Sequence, residues 1–324
     1  MSKAELPDNH STPPPPPPPP KRLRKFMLHL IYCLIKLLAK LPLGKQLAIG
    51  RGLALILWPL LGQRLHVART NLALCFPDMK ETEREALLRR HVDALGMGFF
   101  DSAASWFSED ALLSDKYRIE GAEHLDAAIA RGKGVLLLGA HFTTQELSVR
   151  MLSFHYKVHG VYRRYPDPLQ EDMVLKARLR HFADMIPSDD MRKTLKYLRQ
   201  GKIVWYTPDQ DFGEYGMDHS VFLPFFSIQA ATVTVPGRLA QSSGAALVPF
   251  FFRREANGQY LLRILAPLDD LADEPVEVAR EFNELLEREV KEAPEQYLWV
   301  HQRFKTRPDP SEPSPYSLTE DKQN

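Results

Sequence analysis

His141 and Glu146 lie five positions apart in GVLLLGAHFTTQE (residues 134–146), directly after a short apolar run. A neutral imidazole can take a proton from an alcohol near neutral pH. A carboxylate on its other nitrogen fixes the tautomer and stabilises the imidazolium that forms. On one continuous helix this spacing would set the two side chains about 140° apart, because each residue turns about 100°, and they could not share a substrate. The run Val135–Leu138 reads instead as a buried strand, and Thr143 or Thr144 as the cap of a following helix. His141 then falls in the turn, and Glu146, in the first helical turn, can reach back to it. The expectation is a base with an orienting acid at the carboxyl end of a strand, where α/β sheets usually place their chemistry.

A second constellation is IVWYTPDQDFG (residues 203–213), a strand that runs into Pro208 with Asp209 and Asp211 on either side of Gln210. Two carboxylates at a strand end suit a metal, but they equally suit a turn in which they cap backbone amides. The chain has no HExxH, no metal-spaced histidine pair and no glycine-rich phosphate loop, so no metal is expected. A third set is basic. Arg163 and Arg164 follow the strand Val158–Tyr162, and Arg178 and Arg180 sit on the next helix. Forked guanidiniums suit phosphate and carboxylate, although helix arginines are often only solvated. Arg303, Lys305 and Arg307 form a basic C-terminal run, placed against lipid headgroups or an acidic face of the core. The chain lacks G-x-S-x-G, and Cys33 and Cys75 lie upstream in apolar contexts. These facts favour a base that activates a substrate's own hydroxyl.

The elements that must hold these residues follow from periodicity. Tyr117–Glu120, Val135–Leu138, Val158–Tyr162, Ile203–Tyr206, residues 246–252 and residues 260–265 read as strands. Residues 144–154, 169–181, 191–200, 230–241 and 275–291 read as helices, the last opening on a proline suited to a first helical position. Helices alternating with apolar strands mean an α/β fold, a mixed sheet flanked by helices. With 324 residues, 44% of them hydrophobic, the chain has material for one large domain of about 250 residues plus appendages. The net charge of +1 gives no global field for nucleic acid, and none is expected as a partner. Two cysteines without a CxxC pair fit a reducing, cytosol-facing environment.

The N-terminus is of another kind. Residues 13–20 are eight consecutive prolines, an extended stretch that serves as a stiff spacer or, less simply, as the target of a proline-reading domain. Lys21, Arg22, Arg24 and Lys25 follow, then FMLHLIYCLIKLL (residues 26–38), and a second apolar run over residues 47–61 that contains Arg51. Neither is a clean span of about 20 apolar residues. Two membrane readings stand: a tilted span over residues 26–41 with Lys36 snorkelling, or two segments lying in the interface. Core helices are the third. Stable membrane attachment is the expectation, with no signal-peptide logic. The boundaries expected are a disordered Pro-rich leader (1–25), membrane-anchoring helices (26–62), the α/β domain (63–308) and a disordered tail (309–324).

Six segments in order carry a resemblance: AHFTTQE (140–146), GVYR (160–163), RLR (178–180), VWYTPDQDFG (204–213), SVFLPFF (220–226) and PEQYLWVHQRFKTRP (294–308). Together they resemble the bacterial lipid A late acyltransferases, over roughly residues 26–308. The resemblance implies a glycerolipid-acyltransferase-like fold and transfer of a fatty acyl chain from an acyl carrier protein thioester to a hydroxyl of the Kdo-bearing lipid A precursor. It further implies an inner-membrane enzyme whose site faces the cytosol and which meets phospholipid but needs no cofactor. His141 takes the place of the family's base, Glu146 that of its acid, and Asp209 and Arg178 match positions functional in relatives. Arg163 matches an arginine that contacts substrate phosphate. Asp167-Pro168 stands where the family commonly has Asn-Pro, Gln302 where it commonly has Arg, and the octaproline leader has no counterpart. Two alternatives remain at this point: acylation of another lysolipid or glycolipid, and a non-enzymatic membrane lipid-binding protein.

Overall fold

The structure, a computed structural model, describes residues 22–271 and 273–317; the octaproline run lies outside them. Four α-helices come first among the described residues: α1 (Arg22–Leu38), α2 (Leu43–Leu57), α3 (Gly62–Cys75) and α4 (Glu81–Phe107). Helix α4 joins this layer to the rest. Gly50 of α2 and Gly96 of α4 meet backbone to backbone, and a Cβ on either would fall 2.3 Å from the other's carbonyl oxygen. Two residues along, a Cβ on Gly98 would come equally close to the Thr143 carbonyl oxygen. Glycine is thus required where α4 presses on α2 and again where it presses on the turn after His141.

The remainder alternates strand and helix: β1 (Tyr117–Glu120), α5 (Ala122–Ala130), β2 (Val135–Leu138), α6 (Gln145–Leu152), β3 (Val158–Tyr162), α7 (Pro168–Arg178), β4 (Asp184–Pro187), α8 (Met191–Arg199) and β5 (Ile203–Tyr206). A hairpin of β6 (Ser220–Phe225) and β7 (Ile228–Val233) follows, then α9 (Val235–Ser243), β8 (Ala246–Arg254), β9 (Tyr260–Ile264) and α10 (Pro275–Glu292). Seven strands form one sheet in the order β1-β9-β8-β2-β5-β3-β4. The five from β8 to β4 are parallel; β9 runs against β8, and β1 is parallel to β9. The fold is therefore the expected mixed sheet flanked by helices. Strands β2 and β5 are buried at every residue, as central parallel strands covered on both faces must be, and they read as continuous apolar runs for that reason.

One expectation is corrected, and two elements are added to those read from the sequence. Residues 230–233, assigned to a helix, are the end of β7, and the helix starts at Val235. The edge strand β4 was not foreseen. The hairpin was also missed, because its two-residue turn is Phe226-Ser227, with both φ values positive (50° and 65°). Such turns normally announce themselves by Asn or Gly. Here packing supplies what the turn residues do not: Phe226 is buried and its N–H donates to Glu287 Oε1 at 2.6 Å.

No helix among the described residues is long and apolar enough to cross a membrane, so the tilted-span reading receives no support. Residues at the other end are also more ordered than expected. Tyr316, placed in a disordered tail, is buried; its hydroxyl donates to Asn71 Oδ1 at 2.6 Å and accepts from the Phe304 N–H at 3.0 Å.

Candidate active site

The β2–β5 register decides which acid meets the base. Leu138 pairs with Tyr206 at the ends of these parallel strands. His141 and Asp209 each lie three residues further on, so they emerge side by side. Asp209 grips His141 twice: Oδ1 accepts from the ring Nδ1 at 2.6 Å, and Oδ2 from the backbone N–H at 2.9 Å. The Asp209 carboxylate is 2% exposed. Burial alone would raise its pKa, but the His141 charge and the hydrogen bonds from His141 outweigh that and hold it below the usual carboxylate range, with Arg303 assisting. With Nδ1 committed to Asp209, Nε2 is the nitrogen open to a substrate.

The rest of the turn is fixed at the backbone. Gly139 N–H donates to the Tyr206 carbonyl at 2.9 Å, Thr143 N–H to the Gln296 carbonyl at 2.7 Å, and Leu298 N–H to the His141 carbonyl at 2.9 Å. The segment 296–298 thus lies against 141–143 like a short antiparallel strand, with Phe142 and Tyr297 bridged.

Glu146 is engaged elsewhere, which corrects its expected role as the acid that orients His141. It does sit in the first turn of α6, but its carboxylate accepts from the Trp106 indole at 3.1 Å and from Arg178, through Nε at 3.2 Å and also through Nη2. The pair is nearly buried, with side-chain exposures of 8% and 12%. Its physical reason is position: the outer side of the α6 turn faces the ends of α4 and α7, whereas His141 faces β5. Arg178 also lies over the Tyr162 ring, 5.9 Å from its centroid. Trp106 gave no signal in sequence beyond an aromatic on a helix.

His141, Glu146 and Arg178 nevertheless border one cleft of about 490 Å³ with Arg163, Arg164 and Trp205. Arg163 and Arg164 are exposed at its rim; Arg164 faces Asp189 at 3.8 Å. Asp211 is the capping aspartate that the turn reading allowed. It accepts from Gly213 N–H at 2.7 Å and from the Thr306 N–H and hydroxyl, both at 2.8 Å. His301 Nε2 accepts the Asp211 N–H at 3.1 Å, and burial holds this imidazole down to about 4. Of the two placements expected for the basic run, Arg303 does not take the lipid-facing one. It is buried, donating to the Ala231 carbonyl at 2.6 Å and Thr232 Oγ1 at 3.1 Å, and is not on a lipid-facing surface. Asp167 caps α7 through the Leu169 and Gln170 N–H groups, a task Asn performs equally well. Among the described residues no group of three His, Cys, Asp or Glu side chains could hold a metal.

Comparison with known proteins shows the family. The chain matches the family described as bacterial lipid A biosynthesis acyltransferase over residues 20–306. It belongs to that family. It is 37% identical to the lipid A biosynthesis lauroyltransferase of Escherichia coli (strain K12) over 276 residues, 84% of this chain and 89% of the relative. It is 33% identical to the palmitoleoyltransferase of the same organism over 271 residues (83% and 88%) and 29% identical to its myristoyltransferase over 255 residues (77% of each). The chain is accordingly an acyltransferase. A non-enzymatic lipid-binding role is set aside.

Proposed function

We propose that the chain transfers a fatty acyl group from an acyl carrier protein thioester to a hydroxyl of the Kdo-bearing lipid A precursor. His141 is the general base in this reading. The observation that carries it is the His141–Asp209 pair at the mouth of the sheet, with Nε2 free for a substrate and the backbone of the turn held on both sides. Nε2 takes the proton of the acceptor hydroxyl as its oxygen attacks the thioester carbonyl carbon. The carbon–sulfur bond then breaks, and the imidazolium returns the proton to the leaving thiolate. Asp209 keeps Nδ1 protonated and stabilises the charged ring.

Glu146 contributes through Arg178. The ion pair fixes the guanidinium on the cleft wall while neutralising much of its charge. That leaves Arg163 and Arg164 at the rim as the cations best placed for the phosphates and acidic sugars of such an acceptor. The similarity to lipid A biosynthesis acyltransferases supports a lipid A acceptor.

The helical layer fits a lipid interface. Phe26, Met27, Leu30, Ile31, Leu34 and Leu37 of α1 are exposed, as are Leu53, Leu55, Ile56 and Leu57 of α2, among exposed Lys25, Lys36, Lys40 and Lys45. Helices of this kind lie in the headgroup region with lysines on phosphate. The layer is tied to the cleft: Tyr32 of α1 packs on Phe107, next to Trp106. This reading places the enzyme on the cytosolic face of the bacterial inner membrane, among phospholipids. Purified enzyme given acyl carrier protein or coenzyme A thioesters, with lipid A precursor or lysophospholipid as acceptor, tests it. Acylated lipid A precursor formed from the carrier-protein donor is expected; acylation of lysophospholipid alone would contradict it.

A further inference from the structure

We infer that Met185, laid across Gly160, sets the length of the acyl chain this enzyme accepts, with Trp205 as the fixed wall beside it. The inference rests on the acyl-transfer reading above and assigns the part of the same cleft that takes the hydrocarbon.

Three strands meet at one level here. Gly160 of β3 stands in register with Met185 of β4 on one side and with Trp205 of β5 on the other. Side chains at paired positions of neighbouring strands project to the same face, so Met185 and Trp205 flank a position that has no side chain. Met185 fills it. A Cβ on Gly160 would fall 3.0 Å from Met185 Cε, 3.1 Å from its sulfur and 3.8 Å from the Trp205 ring. Trp205 in turn reaches back toward the base. A Cβ on Gly139, two residues before His141, would fall 2.5 Å from the indole Nε1. Met185 and Trp205 are 4% and 6% exposed, and both border the cleft.

The cleft is divided by its chemistry. His141, Glu146 and Arg178 occupy one part, with Arg163 and Arg164 at the rim. A thioester carbonyl within reach of His141 Nε2 must direct its hydrocarbon away from these groups, because an alkyl chain laid over them would strip their solvation without replacing it. The apolar wall that starts beside His141 is Trp205, and it leads to Met185. The chain therefore ends against the thioether. An unbranched side chain with three rotatable bonds makes a yielding stop, and the bare backbone of Gly160 is what lies beneath it.

The test is acyl transfer by the purified full chain over a homologous series of acyl carrier protein thioesters offered in competition, for the wild type, Met185→Ala and Gly160→Ala. Each methylene newly buried is worth roughly fourfold in kcat/KM. Met185→Ala is expected to move the preferred chain about two methylenes longer, raising the ratio of the longer to the original donor about 15-fold. Gly160→Ala forces the Met185 tip toward the cleft and is expected to shift preference toward shorter chains. The two opposite shifts separate a length stop from a general loss of packing, and Gly160→Ala carries the test should Met185→Ala not fold. Donor ratios unchanged in a folded variant overturn the assignment. A wild type inactive with every thioester overturns the acyl-transfer reading itself, and this assignment with it.

Discussion

Asp209 and Glu146 are two nearly buried carboxylates, one behind the histidine that borders the cleft and one on the cleft wall, and each is bonded to one basic side chain. Asp209 holds a histidine ring and that histidine's own backbone N–H. Glu146 holds an arginine and a tryptophan N–H. Glu146 is five residues from His141 in the chain and Asp209 is 68 away, yet the distant acid has the base. Strand pairing explains the inversion. Parallel neighbours bring equal distances past their ends together, whereas a strand-to-helix turn sends the next acid round to the far side of the helix start. The two carboxylates therefore divide the labour: one tunes a proton acceptor, the other anchors a cation.

Substitutions at these positions should separate the two roles. His141→Ala is expected to lower kcat/KM by about 10³-fold or more, as loss of a general base does. Asp209→Asn is expected to fall about 10²–10³-fold with KM for the acceptor little changed, since the amide favours the wrong ring tautomer. Steady-state kinetics on folded protein checks both; an Asp209→Asn enzyme within a few-fold of wild type would break the distinction. Glu146→Gln should have the smaller chemical effect, about tenfold in kcat. Its unfolding free energy should fall by about 3 kcal/mol, because it leaves a nearly buried guanidinium with no countercharge. Denaturant melts measure that loss. An unaltered midpoint would mean that the Glu146–Arg178 pair is not the anchor described here.

A gentler test uses pH. His91, His181 and His301 are each held down to about 4, chiefly by burial. In the unfolded chain their value is about 6.5, so between about pH 6.5 and about pH 4 the unfolded chain binds protons that the folded chain does not. Their contribution to stability is therefore complete above about pH 6.5 and is lost as pH falls through that window. Urea midpoints should decline steadily over it. A flat profile would contradict the neutral state of these rings. The smallest effect belongs to the helical layer. Leu30→Ser with Leu34→Ser should weaken binding to anionic vesicles about tenfold without altering the melt, since both side chains are exposed. Undiminished binding would remove α1 from the lipid interface.

Legibility in the sequence followed burial. Strands β1, β2, β3 and β5 are readable to the residue: β2 and β5 are unbroken apolar runs, while β1 alternates apolar and charged residues and β3 is a short stretch rich in valine and tyrosine. Strand β4 was not, since DMIP is four residues long with an acid and a proline at its ends, as an edge position permits. The β6–β7 hairpin hid because its turn has no Gly or Asn. At the site, His141 was visible as a polar residue after a buried strand, and so was the Asp209–Asp211 turn. Their partnership was not, because it depends on β2 and β5 being neighbours, and two strands intervene between them in the chain. Trp106 and Tyr162 could not be tied to the cleft for the same reason: both act on the Glu146–Arg178 pair from other elements.

The central claim is that Asp209, not Glu146, holds the proton on His141 Nδ1. Nitrogen NMR of the His141 ring in the wild type, Asp209→Asn and Glu146→Gln tests it most directly, with His141→Gln used to assign the signal. The Nδ1–H tautomer should be present in the wild type and in Glu146→Gln and should be lost or mixed in Asp209→Asn. Loss of that tautomer in Glu146→Gln, with Asp209→Asn unchanged, would contradict the account.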